Sequence, residues 1–236
     1  MSAVVETVPL SPLGTVLLPG ASLPLHVFEP RYRQLTIDLV TGALPGKQFG
    51  VVAVRDGWSP DDGRDGLHDV GCTASLREVR RLPDGRFDIQ TTGDRRFRLL
   101  EVDDTTAPYL VANVEWLPDD EGDTEHDLAS LAMAARAAHR RYCTTAWRQR
   151  GGGDGELPAE LDEEPAPDAT DLELAHVLAG DCLLPLEDRQ ELLEQTCPVE
   201  RLQLIRRSMI REAVLLGELR AVWAPTAKFA VEHSPN

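Results

Sequence analysis

Apolar and polar residues alternate along much of the first half of the chain. Phe87 and Ile89 alternate with Arg86, Asp88 and Gln90, and Phe97, Leu99 and Val102 lie among Arg96, Arg98 and Glu101. A period of two residues places one set on each face of a half-buried strand. Pro83-Asp84-Gly85 and Gly93-Asp94 both carry turn residues, so they predict breaks that divide this region into three short strands, the last with a bulge near Leu100. The more apolar run Gln48 to Arg55 predicts a buried strand, and Tyr109 to Trp116 a further one ending at Pro118. Asp56 to Asp69 reads as a loop. One helix interrupts the strands. It opens at Glu29-Pro30-Arg31, where a missing N–H costs nothing, presents Tyr32, Leu35 and Leu39 with Ile37 as its apolar side, and stops at Gly42.

After Pro118 the period changes. Asp127 to Arg148 is rich in Ala and Leu and free of Gly and Pro, which predicts one long helix. Residues 149–170 mix Gly, Pro and acids and bury too little apolar surface to offset ordering, so they read as a flexible linker. Asp171 to Leu178 and Pro185 to Gln195 predict two more helices. Val199 to Val222 predicts a last one, on which Leu202, Ile205, Met209, Ala213, Leu216 and Trp223 line one face. The expected class is α+β: a β-rich subdomain with one helix over residues 1–118, a helical bundle over 119–224 and a tail over 225–236.

Composition narrows the function classes. No run of eighteen apolar residues exists, so no membrane span is expected. MSAVVETVPL lacks the basic-then-apolar pattern of a secretory signal, and a cytoplasmic protein is the expectation. The net charge of −16 lies mostly in residues 119–180, which hold 15 acids and 5 bases. That balance favours solubility and makes a nucleic-acid partner unlikely on charge. Cys72, Cys143, Cys182 and Cys197 have no CxxC spacing and read as reduced, buried or incidental thiols.

Enzymatic motifs fail on spacing. Gly42-Ala43-Leu44-Pro45-Gly46-Lys47-Gln48 is one residue short of a phosphate loop and ends in Gln rather than Ser or Thr. The six histidines form no HExxH. Asp61, Asp62 and Asp65 hint at a calcium loop, but its twelfth position is Cys72, not Glu. No cofactor and no metal are expected, and no catalytic residue is assigned. The arginines Arg77, Arg80, Arg81, Arg86, Arg95, Arg96 and Arg98 fall on adjacent strands. They read either as a solvated face paired with acids or as a face for an anionic ligand such as RNA or an acidic peptide.

Three segments carry a family resemblance. Pro9 to Leu35 (PLSPLGTVLLPGASLPLHVFEPRYRQL) resembles the opening of Lon N-terminal domains, including their F-E-x-R-Y helix start. Val70 to Leu99 resembles the family's Val-Gly-x-x-Ala strand, Leu-Pro-Asp-Gly hairpin and Gly-x-x-Arg-Phe strand. Leu183 to Ile205 resembles the segment that leads into its long helix. The likeness spans residues 7–222 and makes the chain look like a free-standing, non-catalytic copy of the domain. It implies a pseudo-barrel like that of pseudouridine-synthase-associated (PUA) domains, followed by a helical bundle. It also implies binding of unfolded or extended polypeptide, in company with a protease or chaperone, as a protein quality-control adaptor. The only lysines, Lys47 and Lys228, stand in no sequence resembling the Lon Ser/Lys peptidase segment. Phe28, Arg31, Tyr32 and Trp58 are the candidate lining of a polypeptide site, placed either in a groove between the subdomains or at a strand edge. Glu29 is expected to pair with Arg31 or to cap the helix. Self-association through Leu204, Val214 and Leu215 of the last helix is a further expectation.

Overall fold

The computed structural model describes residues 5–57, 60–120, 128–149, 158 and 166–219. Trp58, Trp223, most of the expected linker and the expected tail lie outside the described residues. The chain divides into two compact units, one running to Pro118 and the other starting at Asp119.

The first unit is a sheet that closes on itself. Its strands are β1 (Val5–Leu13), β2 (Ser22–Val27), β3 (Gln48–Ala53), β4 (Val70–Arg81), β5 (Phe87–Asp103) and β6 (Leu110–Trp116), and helix α1 (Pro30–Thr41) lies between β2 and β3. The strand order is β2-β5-β4-β3-β1-β6, with β6 also paired to β5. Five strands thus form a ring and β2 is added outside it, within the expected α+β class. Its interior is filled by Leu10, Val52, Leu67, Phe97, Leu99, Ala112 and Val114. Phe97 is fully buried, and a Cβ at Gly71 would lie 2.4 Å from its ring, so that glycine exists to admit the aromatic side chain. Burying one such ring stabilises the unit by roughly 3 kcal/mol.

Two readings from sequence are corrected here. The turn expected at Gly93-Asp94 is absent, because β5 is one strand of 17 residues. Gly93 is needed for close approach instead: it exchanges backbone hydrogen bonds with Gly20 and Ala21, each at 2.9 Å. A long strand is required because the first part of β5 pairs with β2, its last part with β6, and most of it with β4. The ladder to β6 has the expected irregularity between Leu99 and Glu101. On α1, Ile37 is 40% exposed and Thr36 is buried in its place, with Tyr32, Leu35 and Leu39. The four residues Tyr32, Leu35, Thr36 and Leu39 follow the three- and four-residue spacing of one helical face, and Ile37 does not. Gly42 closes α1 in the left-handed region, at φ 80°.

Prolines fall where ladders are single. Pro9 lies in the half of β1 that pairs with β6, and Pro12 in the half that pairs with β3, so each has a side on which a missing N–H costs no ladder bond. Pro24 sits on β2, which pairs only with β5.

The second unit is helical: α2 (Leu128–Trp147), α3 (Leu174–Gly180), α4 (Leu186–Glu194) and α5 (Pro198–Leu219). Small residues Ala132, Ala135, Ala138 and Ala146 form the buried stripe of α2, which packs against α5, where Leu202, Ile205, Met209 and Ala213 are buried. The Tyr142 hydroxyl accepts a 3.0 Å hydrogen bond from the Leu183 amide, which fixes the entry to α4. Val214 and Leu215 are 39% and 41% exposed and Leu204 is half-buried. No described helix is long and apolar enough to cross a membrane.

Candidate functional site

Alternation along β2 turns Leu25 and Val27 inward and leaves His26 on the opposite face. The register then sets His26 opposite Asp88 of β5, and Asp88 opposite Arg80 of β4. One row of side chains therefore crosses three strands. His26 Nδ1 lies 2.7 Å from an Asp88 oxygen, and Arg80 donates to the other oxygen of the same carboxylate. The β4–β5 hairpin supplies a fourth member. Asp84 accepts from the Arg86 amide at 3.1 Å and from its Nε at 2.6 Å, which aims Arg86 Nη1 at His26 Nε2, 3.0 Å away. Arginine only donates, so Nε2 must accept and Nδ1 must carry the proton given to Asp88. The two neighbours fix the tautomer of His26.

These contacts act on the carboxylates. The hydrogen bond from His26, and then that from Arg80, hold Asp88 below the ordinary carboxylate range. Because its folded value is depressed, its contribution to stability is complete above the unfolded pKa, about 3.9, and fades as pH falls through the folded value. Asp88 is one-third exposed, so Asp88→Asn should cost no more than about 1 kcal/mol. The difference between parent and variant in urea unfolding should stay constant above about pH 5 and shrink below about pH 4. A difference that grew on acidification would contradict these contacts.

Phe28 is half-buried and stacks with His26, ring centroids 6.3 Å apart. Through His26 the structure joins Phe28 to Arg80 and Arg86. Arg31 lies 2.9 Å from Glu29 and places its guanidinium 4.8 Å from the Tyr32 ring centroid. Glu29 makes that pair and no side-chain cap bond, which decides between the two expectations for it. Tyr32 is buried, and burial pushes its phenol up to about 12. It faces a cavity of about 20 Å³ shared with Ser11, Thr36, Phe49 and Ile89, room for a single water rather than a ligand. Trp58 lies outside the described residues.

The arginines do not form one continuous face. Arg80 and Arg86 are paired with Asp88 and Asp84. Arg77 donates to the Thr92 hydroxyl at 3.2 Å. Arg95 stacks 3.8 Å over Trp116, Arg96 is buried, and Arg98 is exposed beside Glu115 of β6. His26 was missed in the sequence reading because its partners are remote in the chain, and only the register brings them together.

The helical unit contains a Cys–His contact. Cys143 Sγ is 3.7 Å from His139 Nε2, and the same nitrogen is 3.8 Å from an Asp181 oxygen. Burial lowers the pKa of His139 and raises Cys143 to about 11. The pair is a thiol beside a neutral imidazole, the opposite of an activated nucleophile. Burial also raises Cys72 to about 12. Among the described residues, no group of three or more His, Cys, Asp or Glu is arranged to hold a metal.

Residues 7–211 match the family described as the ATP-dependent protease La (LON) substrate-binding domain. The chain belongs to this family. It is 30% identical over 213 residues to Lon protease 4 of Sorangium cellulosum, covering 90% of this chain and 24% of that protein. It is 28% identical over 210 residues to the Lon protease of Anaeromyxobacter dehalogenans, covering 88% of this chain and 23% of that protein. This chain therefore spans about a quarter of the length of those curated relatives. Among solved structures, a Lon N-terminal domain protein from Xanthomonas campestris is similar at TM-score 0.55 and 26% identity, covering 84% of this chain and 95% of that one. The N-terminal domain of a Mycobacterium avium complex Lon protease has the same fold at TM-score 0.59 and 18% identity, covering 86% of this chain and 98% of that one. The motif segments of this Lon substrate-binding domain fall on elements of both units. Pro9 to Leu35 folds as most of β1, then β2 and the start of α1; Val70 to Leu99 folds as the β4–β5 hairpin; Leu183 to Ile205 enters α4 and α5.

Proposed function

We propose that this Lon substrate-binding domain is a non-catalytic module that binds unfolded or extended polypeptide and serves as a cytoplasmic quality-control adaptor, delivering chains to a protease or chaperone. The observation that carries this reading is the family match over residues 7–211 to a domain defined by substrate binding. Burial raises the Cys143 thiol to about 11 and so keeps it out of the nucleophilic thiolate form, which supports a non-catalytic role. We assign the polypeptide contact to the β2–α1 junction, where Phe28, Arg31 and His26 offer an aromatic surface beside charge. Tyr32 supports that surface from beneath.

The nucleic-acid reading has weaker support. Phosphate binding draws on a basic stripe, whereas Arg80 and Arg86 are neutralised by their own carboxylate neighbours and Arg96 is buried. In an affinity capture with the immobilised full chain, a reduced and carboxymethylated polypeptide should be retained while its native form passes through. Retention no better than that of an unrelated acidic protein on the same matrix would overturn the proposal.

A further inference from the structure

Among the described residues, the first unit leaves two strand edges outside its closed ring, and they differ in chemistry. The first is β2, paired only with β5. Gly93 of β5 bonds toward Gly20 and Ala21, so by alternation the outward backbone positions of β2 are Ser22, Pro24 and His26. Pro24 thus stands in the middle of that edge with no donor, a common guard against strand addition.

The second edge has no such guard. The pairing of β3 with β4 ends at Gln48 opposite Ser75, and β4 continues to Arg81 with β5 as its single neighbour. The Leu82 amide donates to the Arg86 carbonyl at 2.8 Å, so residue 82 faces β5, and so do Arg80 and Glu78. Val79 and Arg81 then turn their N–H and C=O outward, two residues apart, the repeat of an extended chain. Among the described residues, no partner is seen for these outward groups. The side chains set a condition on what can pair there. Arg77 and Arg81 are exposed, and among the described residues no carboxylate pairs with either. Lys47, whose carbonyl accepts from the Leu76 amide at 2.8 Å, adds an exposed cation at the start of the edge. Glu78 is the only acid from Arg77 to Arg81. Such charges repel a basic strand, while a strand bearing carboxylates is drawn in.

We propose that the free edge of β4, from Arg77 to Arg81, takes an acidic, extended polypeptide segment as an added strand. Backbone pairing with Val79 and Arg81 supplies the binding, and Arg77, Arg81 and Lys47 select the charge. This rests on the polypeptide-binding reading above and adds to the β2–α1 contact a second place, with a substrate class.

The test uses the full chain and a fluorescent peptide of alternating Glu and Val, with its Lys-for-Glu counterpart, read by anisotropy. The acidic peptide should bind with a salt-dependent affinity and the basic one should not. Val79→Pro removes one outward donor and no β4–β5 ladder bond. It should weaken binding by about tenfold or more, as should Arg77→Glu combined with Arg81→Glu. Circular dichroism checks that each variant is folded; if the proline variant is not, the double arginine variant decides. Unchanged affinity in the folded variants overturns the proposal. Equal binding of a single-stranded RNA homopolymer, insensitive to Val79→Pro, also overturns it, since charge alone would then be at work. If the carboxymethylated polypeptide is captured but the acidic peptide is not, the edge assignment falls and the module reading stands. If neither binds, both fall.

Discussion

Replacing Gly93 with alanine should destabilise the sheet unit by about 3 kcal/mol or more. A Cβ at this position would lie 2.1 Å from the Leu18 carbonyl oxygen and 2.9 Å from its carbon. Both are backbone atoms, so no rotamer change relieves the contact. The segment from Leu18 to Ala21 would have to move, and its two 2.9 Å hydrogen bonds to Gly93 would stretch or break. That segment leads directly into β2, so the His26–Asp88–Arg80 row should loosen with it. Gly14 is the control: a Cβ there meets nothing within 4 Å, and Gly14→Ala should change stability by no more than about 0.5 kcal/mol. Urea unfolding of both variants, read as a midpoint shift at constant slope, checks this. Similar midpoints for the two would show that the strand tolerates a side chain at Gly93.

The second large effect is expected at Asp119 in the helical unit. Arg201 is 1% exposed and forms a forked pair with Asp119, at 2.6 and 2.7 Å. It also donates to the carbonyls of Leu172 at 2.7 Å and Gln195 at 3.1 Å. One side chain thereby ties the start of the unit, the approach to α3 and the α4–α5 connection to α5. Asp119→Ala leaves a guanidinium in the interior without its counter-charge, which should cost about 3 kcal/mol or more. Arg201→Met should cost less, about 2 kcal/mol. Asp119, one-third exposed, returns to water, and the loss is chiefly that of the two carbonyl partners. The order of the two variants is the test. If Arg201→Met is the more damaging, the arginine acts mainly through its packed stem rather than its charge.

Much of the fold was legible because it depends on neighbours close in sequence. The start of α1 at Pro30, its end at Gly42, the buried run of β3, the limits of β6 and the apolar face of α5 all follow from spacings of a few residues. The errors were of one kind. Gly93-Asp94 has turn residues, yet the glycine answers a carbonyl that approaches from Leu18. Ile37 is apolar, yet the buried face of α1 takes Thr36, whose hydroxyl bonds back to the Tyr32 carbonyl at 2.9 Å. The candidate site was half legible. Phe28, Arg80 and Arg86 stood out by residue type, but His26, which joins them, carries no local signal. Its contacts with Asp88 and Arg86 span 62 and 60 residues.

The sequence by itself determined the α+β class, most of the elements and the membership of the Lon substrate-binding family, because periodicity and ordered motifs are local or linear properties of a chain. Tertiary structure alone decided which strands close the ring, that β5 is a single strand serving three neighbours, and that Arg201 is buried with its charge matched. It also decided which strand edges stay open among the described residues, one interrupted by Pro24 on β2 and one lined by arginines on β4. Those features depend on register between distant segments, and a one-residue change of register would turn each side chain to the other face.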